Sequence, residues 1–107
     1  MMSDFKEILA SLPSVDHLEA IELTYLSGES ELLSNQPGKA GSLAVYNALL
    51  EEVGEINAVA AQKGLELFAE HTEDARANPG KHPNIDRLRT VISGNGSFTA
   101  KRIQRDS

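Results

Sequence analysis

Cysteine and tryptophan are absent from this 107-residue chain, and its aromatic residues are three phenylalanines and two tyrosines. Without cysteine there is no disulfide framework, no thiolate zinc site and no thiol nucleophile, and a reducing compartment is the natural setting. The few aromatics are scattered through apolar stripes and do not form a platform for stacking bases. No apolar run approaches the roughly 18 residues that a membrane helix needs, so no membrane partner is expected. The start, MMSDFKEILASLP, has neither a basic lead-in nor a small-residue cleavage site, and a cytoplasmic location is expected. No serine sits in a GxSxG elbow.

Of the residues present, 40% are apolar and 24% charged, which suits one soluble globular domain. More than a quarter of the apolar residues are alanine, so the core is small and the stability modest. The net charge of −6 is unevenly spread: residues 81–107 carry Lys81, Arg87, Arg89, Lys101, Arg102 and Arg105 against only Asp86 and Asp106, and the rest is acidic. An acidic whole with a short basic end is not the expected partner of nucleic acid. The basic segment is expected to lie against the acidic body or in solvent, with docking on RNA or an acidic protein as the sharper option.

Ser3-Asp4 caps a short amphipathic helix carrying Phe5, Ile8, Leu9 and Leu12, which Pro13 ends. The period then changes to two. Residues 18–26 and 30–35 around Ser27-Gly28-Glu29 predict a β-hairpin. Ser42 is expected to cap a helix over 43–53, with Leu43, Tyr46, Leu49, Leu50 and Val53 inward, Asn47 and Glu51 opposite, and Gly54 closing it. One long helix is expected from about Glu55 to Arg76, in which Gly64 allows a close approach, and Asn84 is expected to cap a last helix running to Gly94. Ser97 to Ile103 forms a third strand, with Lys101 and Arg102 paired to Glu19, Glu22 or Glu31, or is disordered. The expected class is α+β: a helix, a hairpin, three helices and this optional strand, with the helices on one face of a small antiparallel sheet. Residues 1–94 form the domain and 95–107 a basic tail. A two-stranded hairpin is marginal alone, so either the tail or a second chain completes the sheet, and the latter makes a homodimer the expected state. Tyr25 and Tyr46 are expected in the core with wet hydroxyls.

Two groupings could carry chemistry. Pro37-Gly38-Lys39 and Pro79-Gly80-Lys81 each precede a helix whose N-terminus favours anions, and together Lys39, Ser42, Lys81 and His82 could frame one. The spacing is not that of a nucleotide-binding loop, and Pro-Gly is also an ordinary turn. The second grouping is Glu66, Glu70, His71, Glu73 and Asp74 before His82. On a continuous helix His71 falls within the stripe of Ile56, Ala60, Gly64, Leu67 and Phe68, where a histidine is more often a packed core group. In the functional alternative His71, Asp74 and a folded-back His82 meet at a metal or act as an acid–base pair, although the spacing is not HExxH.

The blocks GSLAVYN at 41–47 and LFAEHTEDARANPGKHPNIDRL at 67–88 resemble a family of short bacterial proteins, conserved but of unknown function. The resemblance spans roughly residues 4–93. It implies a bacterial protein and brings no activity, cofactor or catalytic residue with it. The function expected first is therefore that of a small non-enzymatic interaction or regulatory protein, acting as a homodimer through loop 78–84. The alternative is a protein, or an enzyme, that binds a small anion or phosphate ligand between the two Pro-Gly-Lys loops, with His71 or Asp74 as acid–base support.

Overall fold

The structure is a computed structural model that describes residues 4–36, 40–94 and 97–105. In chain order it runs α1 (Phe5–Ser11), β1 (Leu18–Tyr25), β2 (Ser30–Ser34), α2 (Ala40–Glu52), α3 (Ala58–Leu67), α4 (Glu70–Ala77), α5 (Pro83–Ile92) and β3 (Phe98–Gln104). This is α+β, with a three-stranded antiparallel sheet in the order β2-β1-β3. Among the described residues no helix is long and apolar enough to cross a membrane.

β1 fills the centre because it has apolar residues to bury: Leu18, Ala20, Ile21 and Leu23 are all buried. Alternation along the strands puts Ile21, Leu23 and Tyr25 toward the helices and Glu22 and Thr24 toward solvent. Across from Glu22 lie Leu32 and Lys101, and across from Thr24 lie Ser30 and Thr99. The chain's own β3 thus takes the place beside the hairpin for which a second chain was invoked, and that argument for a homodimer lapses. Lys101 lies opposite Glu22 as expected, but Arg102 faces the helices, where its guanidinium reaches Asn47 at 2.6 Å and Glu51 at 3.1 Å.

α2 is the central helix, and seven of its residues are buried. It contacts β1, β2 and α3, and α3 packs along α5. Enclosure on so many sides explains why Asn47, expected on a solvated face, is buried and hydrogen-bonded to Arg102. At Gly64 the helices come close, because a Cβ there would sit 2.6 Å from Leu88 Cδ1 and 3.0 Å from Leu49 Cδ1.

Three helix ends differ from expectation. α2 begins at Ala40, so Ser42 lies inside its first turn and does not cap it. α5 begins at Pro83, whose fixed φ suits the first helical position, leaving His82 at the cap and Asn84 inside. The single helix expected over 55–76 is two helices, broken at Phe68-Ala69, and the His71 stripe drawn across that break does not exist. The Ala69 N–H turns back to the Glu66 carbonyl at 3.1 Å, and the Leu65 carbonyl is taken instead by the buried Thr72 hydroxyl at 2.6 Å. The chain reverses through Ala69 at φ 52° and ψ −122°, a conformation that a Cβ makes costly. Ala69→Gly is therefore expected to stabilise the fold by about 1 kcal/mol, the relief of strain exceeding the added chain entropy. Urea denaturation measures it, and a destabilised variant would contradict the strain.

Candidate functional site

The link between α4 and α5 is short and heavily pinned. Asn78 donates its side-chain amide to Asp74 Oδ1 at 3.0 Å, the Lys81 N–H returns to the Asn78 carbonyl at 3.1 Å, and the Gly80 N–H donates to Asp86 Oδ2 at 2.9 Å. Gly80 turns at φ +92°, which only glycine adopts without strain. The loop thereby brings Lys81 and His82 back over the end of α4, where Asp74 Oδ2 accepts from His82 Nε2 at 2.6 Å and from Lys81 Nζ at 3.0 Å. The His82 hydrogen bond, followed by that of Lys81, pulls the Asp74 carboxyl down to about 2 from its ordinary 3.8. Asp74 remains a carboxylate throughout the neutral range and fixes both side chains.

Beside this cluster is a cavity of about 260 Å³, into whose wall come Ser42 from α2, His71 from α4 and Lys81, His82 and Asn84 from the loop and α5. Its apolar side is Phe5 and Phe68, stacked at 5.7 Å, with His71 edge-on to Phe5 at 4.9 Å. A neighbouring cavity of about 450 Å³ shares Ser42, Lys81 and Asn84 and continues past Gln36 to Arg87 and Glu31. Ser42, in the first turn of α2, and Asn84, in the first turn of α5, line the same two cavities.

Of the residues singled out from the sequence, Ser42, His71, Lys81 and His82 share one cavity wall, and Asp74 stands behind Lys81 and His82. Lys39 lies outside the described residues. His71 packs against Phe5, with its ring 5.7 Å from that of His82. Among the described residues no group of three or more His, Asp or Glu is arranged to hold a metal ion.

Sequence reasoning missed Arg87. Its side chain is only 8% exposed, and it donates to Glu31 at 2.8 Å, to Asn84 Oδ1 at 2.8 Å, to the Tyr46 hydroxyl at 3.2 Å and to the Tyr25 hydroxyl at 3.3 Å. The tyrosine hydroxyls are therefore engaged inside the protein: Tyr46 donates to the Asn84 carbonyl at 2.6 Å, and Tyr25 donates to Glu31 at 2.5 Å. Burial pushes the Tyr46 phenol up to about 12. The Tyr25 hydroxyl, with Arg87 behind it, holds the Glu31 carboxyl below its ordinary range. A signal was present in the sequence: Glu31 has the same strand parity as buried Leu33, so a carboxylate on the inward face called for a buried cation.

A model of a bacterial protein family, described as uncharacterized protein conserved in bacteria (DUF2322), matches residues 5–102. The chain belongs to that family. The resemblance carried by the blocks at 41–47 and 67–88 is borne out, and DUF2322 as described adds no activity to it. The match runs into β3 as far as Arg102, beyond the stretch to which the resemblance reached. No curated protein and no solved structure matches the chain.

The Asp74 cluster makes a titration prediction. Because the folded-state pKa is depressed, the contribution of Asp74 to stability is present above about pH 4 and is lost as pH falls toward 2. In a carbon-detected NMR titration the Asp74 carboxyl should titrate near 2 in the native protein and move up toward its ordinary value in His82→Ala. An unshifted midpoint in the variant would show that His82 does not hold this carboxylate.

Proposed function

We propose that the chain binds a small anion, a phosphate or carboxylate group on a metabolite, in the cavity walled by Ser42, Lys81 and His82. The observation that carries this reading is convergence: the first turn of α2 and the loop 78–84, some forty residues apart in sequence, supply walls to one cavity of about 260 Å³. Lys81 brings a full charge, the Ser42 hydroxyl a neutral donor, and the imidazole of His82 a group whose orientation Asp74 fixes. The first turns of α2 and α5 add their dipoles to these side chains. Asp74 opposes an incoming anion by its charge while it positions both donors, so moderate affinity is expected.

A second reading keeps the same surface. Residues 78–81 are all exposed, as a loop that docks on a protein partner or on a second copy of the chain would be. Anion binding takes precedence because the side chains of this loop are organised around a cavity.

Isothermal titration with inorganic phosphate at low ionic strength tests the proposal. Lys81→Ala should weaken binding about tenfold, the loss of one charge-assisted contact, and Ser42→Ala should weaken it less. Equal affinity in all three proteins, or no binding to the native chain, would contradict it. Light scattering on the same samples separates the two readings, because a change of oligomeric state in Lys81→Ala without a change in phosphate affinity would favour association.

A further inference from the structure

The larger of the two cavities contains a feature that a site for a single anionic group does not use. It has two cations in its wall, Lys81 and Arg87, and one carboxylate, Glu31, within a chain whose net charge is −6. The guanidinium of Arg87 is nearly buried, whereas the carboxylate bound to it belongs to the edge strand β2 and is 46% exposed. β2 itself buries only Leu33. A carboxylate in this position can return to water at small cost, since an ion pair with one solvated partner contributes little. The arginine has no such freedom: without Glu31 its nearly buried charge would keep only the neutral acceptors Tyr25, Tyr46 and Asn84. Arg87 therefore requires an anion on this side, and Glu31 is the exchangeable member of the pair.

We propose that Glu31 stands in for a second anionic group of the ligand, and that the two adjoining cavities together take a small molecule with two anionic ends, such as a phosphorylated carboxylate or a dicarboxylate. This deepens the function proposed above and rests on it for the first end, held by Lys81, Ser42 and His82. The second end replaces Glu31 on Arg87 and takes over the hydroxyl proton that Tyr25 donates to Glu31. Ser42, Lys81 and Asn84 line both cavities, so groups in the two would meet the same side chains. Asn84 and Arg87 lie three residues apart on α5, about 5 Å along its axis, and both line the larger cavity. The side-chain oxygen of Asn84 accepts from Arg87 at 2.8 Å. Planar two-point recognition of carboxylate and phosphate suits a guanidinium better than an ammonium, so a lysine at position 87 is not equivalent.

Two probes separate the ends: inorganic phosphate, with one anionic centre, and 3-phosphoglycerate, with two. The native chain should bind 3-phosphoglycerate more tightly than phosphate. Glu31→Gln, which removes the competing carboxylate, should raise affinity for 3-phosphoglycerate by about tenfold and raise that for phosphate less, because phosphate fills only one end at a time. Arg87→Lys should bring 3-phosphoglycerate down to the phosphate level. Should Arg87→Lys fail to fold, Glu31→Gln alone decides, because its gain is larger for the probe with two anionic ends. Equal affinities in native protein and Glu31→Gln, or equal changes for both probes, would overturn the proposal. Binding of 3-phosphoglycerate that depends on Arg87 without any binding of phosphate would uphold the second end and overturn the first. No binding of either probe would overturn both.

Discussion

A buried guanidinium requires acceptors, and around Arg87 they come from every layer of the fold. Removing an arginine from water costs more than any single surface contact returns, so the charge is tolerated only with its donors engaged. Glu31 belongs to β2, Tyr25 to β1, Tyr46 to α2 and Asn84 to the first turn of α5, and Arg87 bonds to all four. The sheet, the central helix and the last helix are thereby set in one relation to each other. That relation brings the first turn of α5 next to the first turn of α2, and the cavities lie between them. Tyr46 secures the same contact a second time by donating to the Asn84 carbonyl.

Much of the architecture follows from local pattern. Alternation from Leu18 to Tyr25 gave the central strand its two faces, and the helices end before Gly54 and Gly94 as the sequence predicts, both glycines having positive φ. The break between α3 and α4 was not legible, because neither glycine nor proline marks it. A buried threonine hydroxyl bonded seven residues back drives the reversal, and the strain falls on an alanine. The caps were misplaced for a related reason: Ser42 and Asn84 look like capping residues, but Pro83 is pre-set for the first helical position and moves the start of α5 ahead of Asn84. Periodicity likewise put Asn47 in solvent, although α2 is enclosed on several sides and Arg102 reaches it from β3.

The candidate site was partly visible. Pro-Gly-Lys before a helix pointed to Lys81 and His82, and the acidic end of α4 pointed to Asp74, because proline, glycine and clustered charge are local signals. Their meeting depends on the turn at Gly80 and on Asp74 accepting from both donors, which spacing alone does not specify. Arg87 was invisible in the same way as most long-range polar contacts: its partners at 25, 31 and 46 lie far away in sequence. The basic end of the chain proves to be largely used internally, with Arg87 on Glu31, Arg102 on Glu51 and Arg105 on the Leu18 carbonyl.

The central claim is that two distant segments form one anion-binding cavity around Lys81 and His82. Backbone amide NMR during addition of inorganic phosphate tests it most directly, because it locates the ligand without presupposing an activity. The account predicts saturable shifts concentrated at Ser42, Leu43 and residues 81–85, at positions joined through space and not through sequence. Shifts spread instead over exposed lysines and arginines such as Lys63 and Lys101, or confined to one of the two segments, would contradict it.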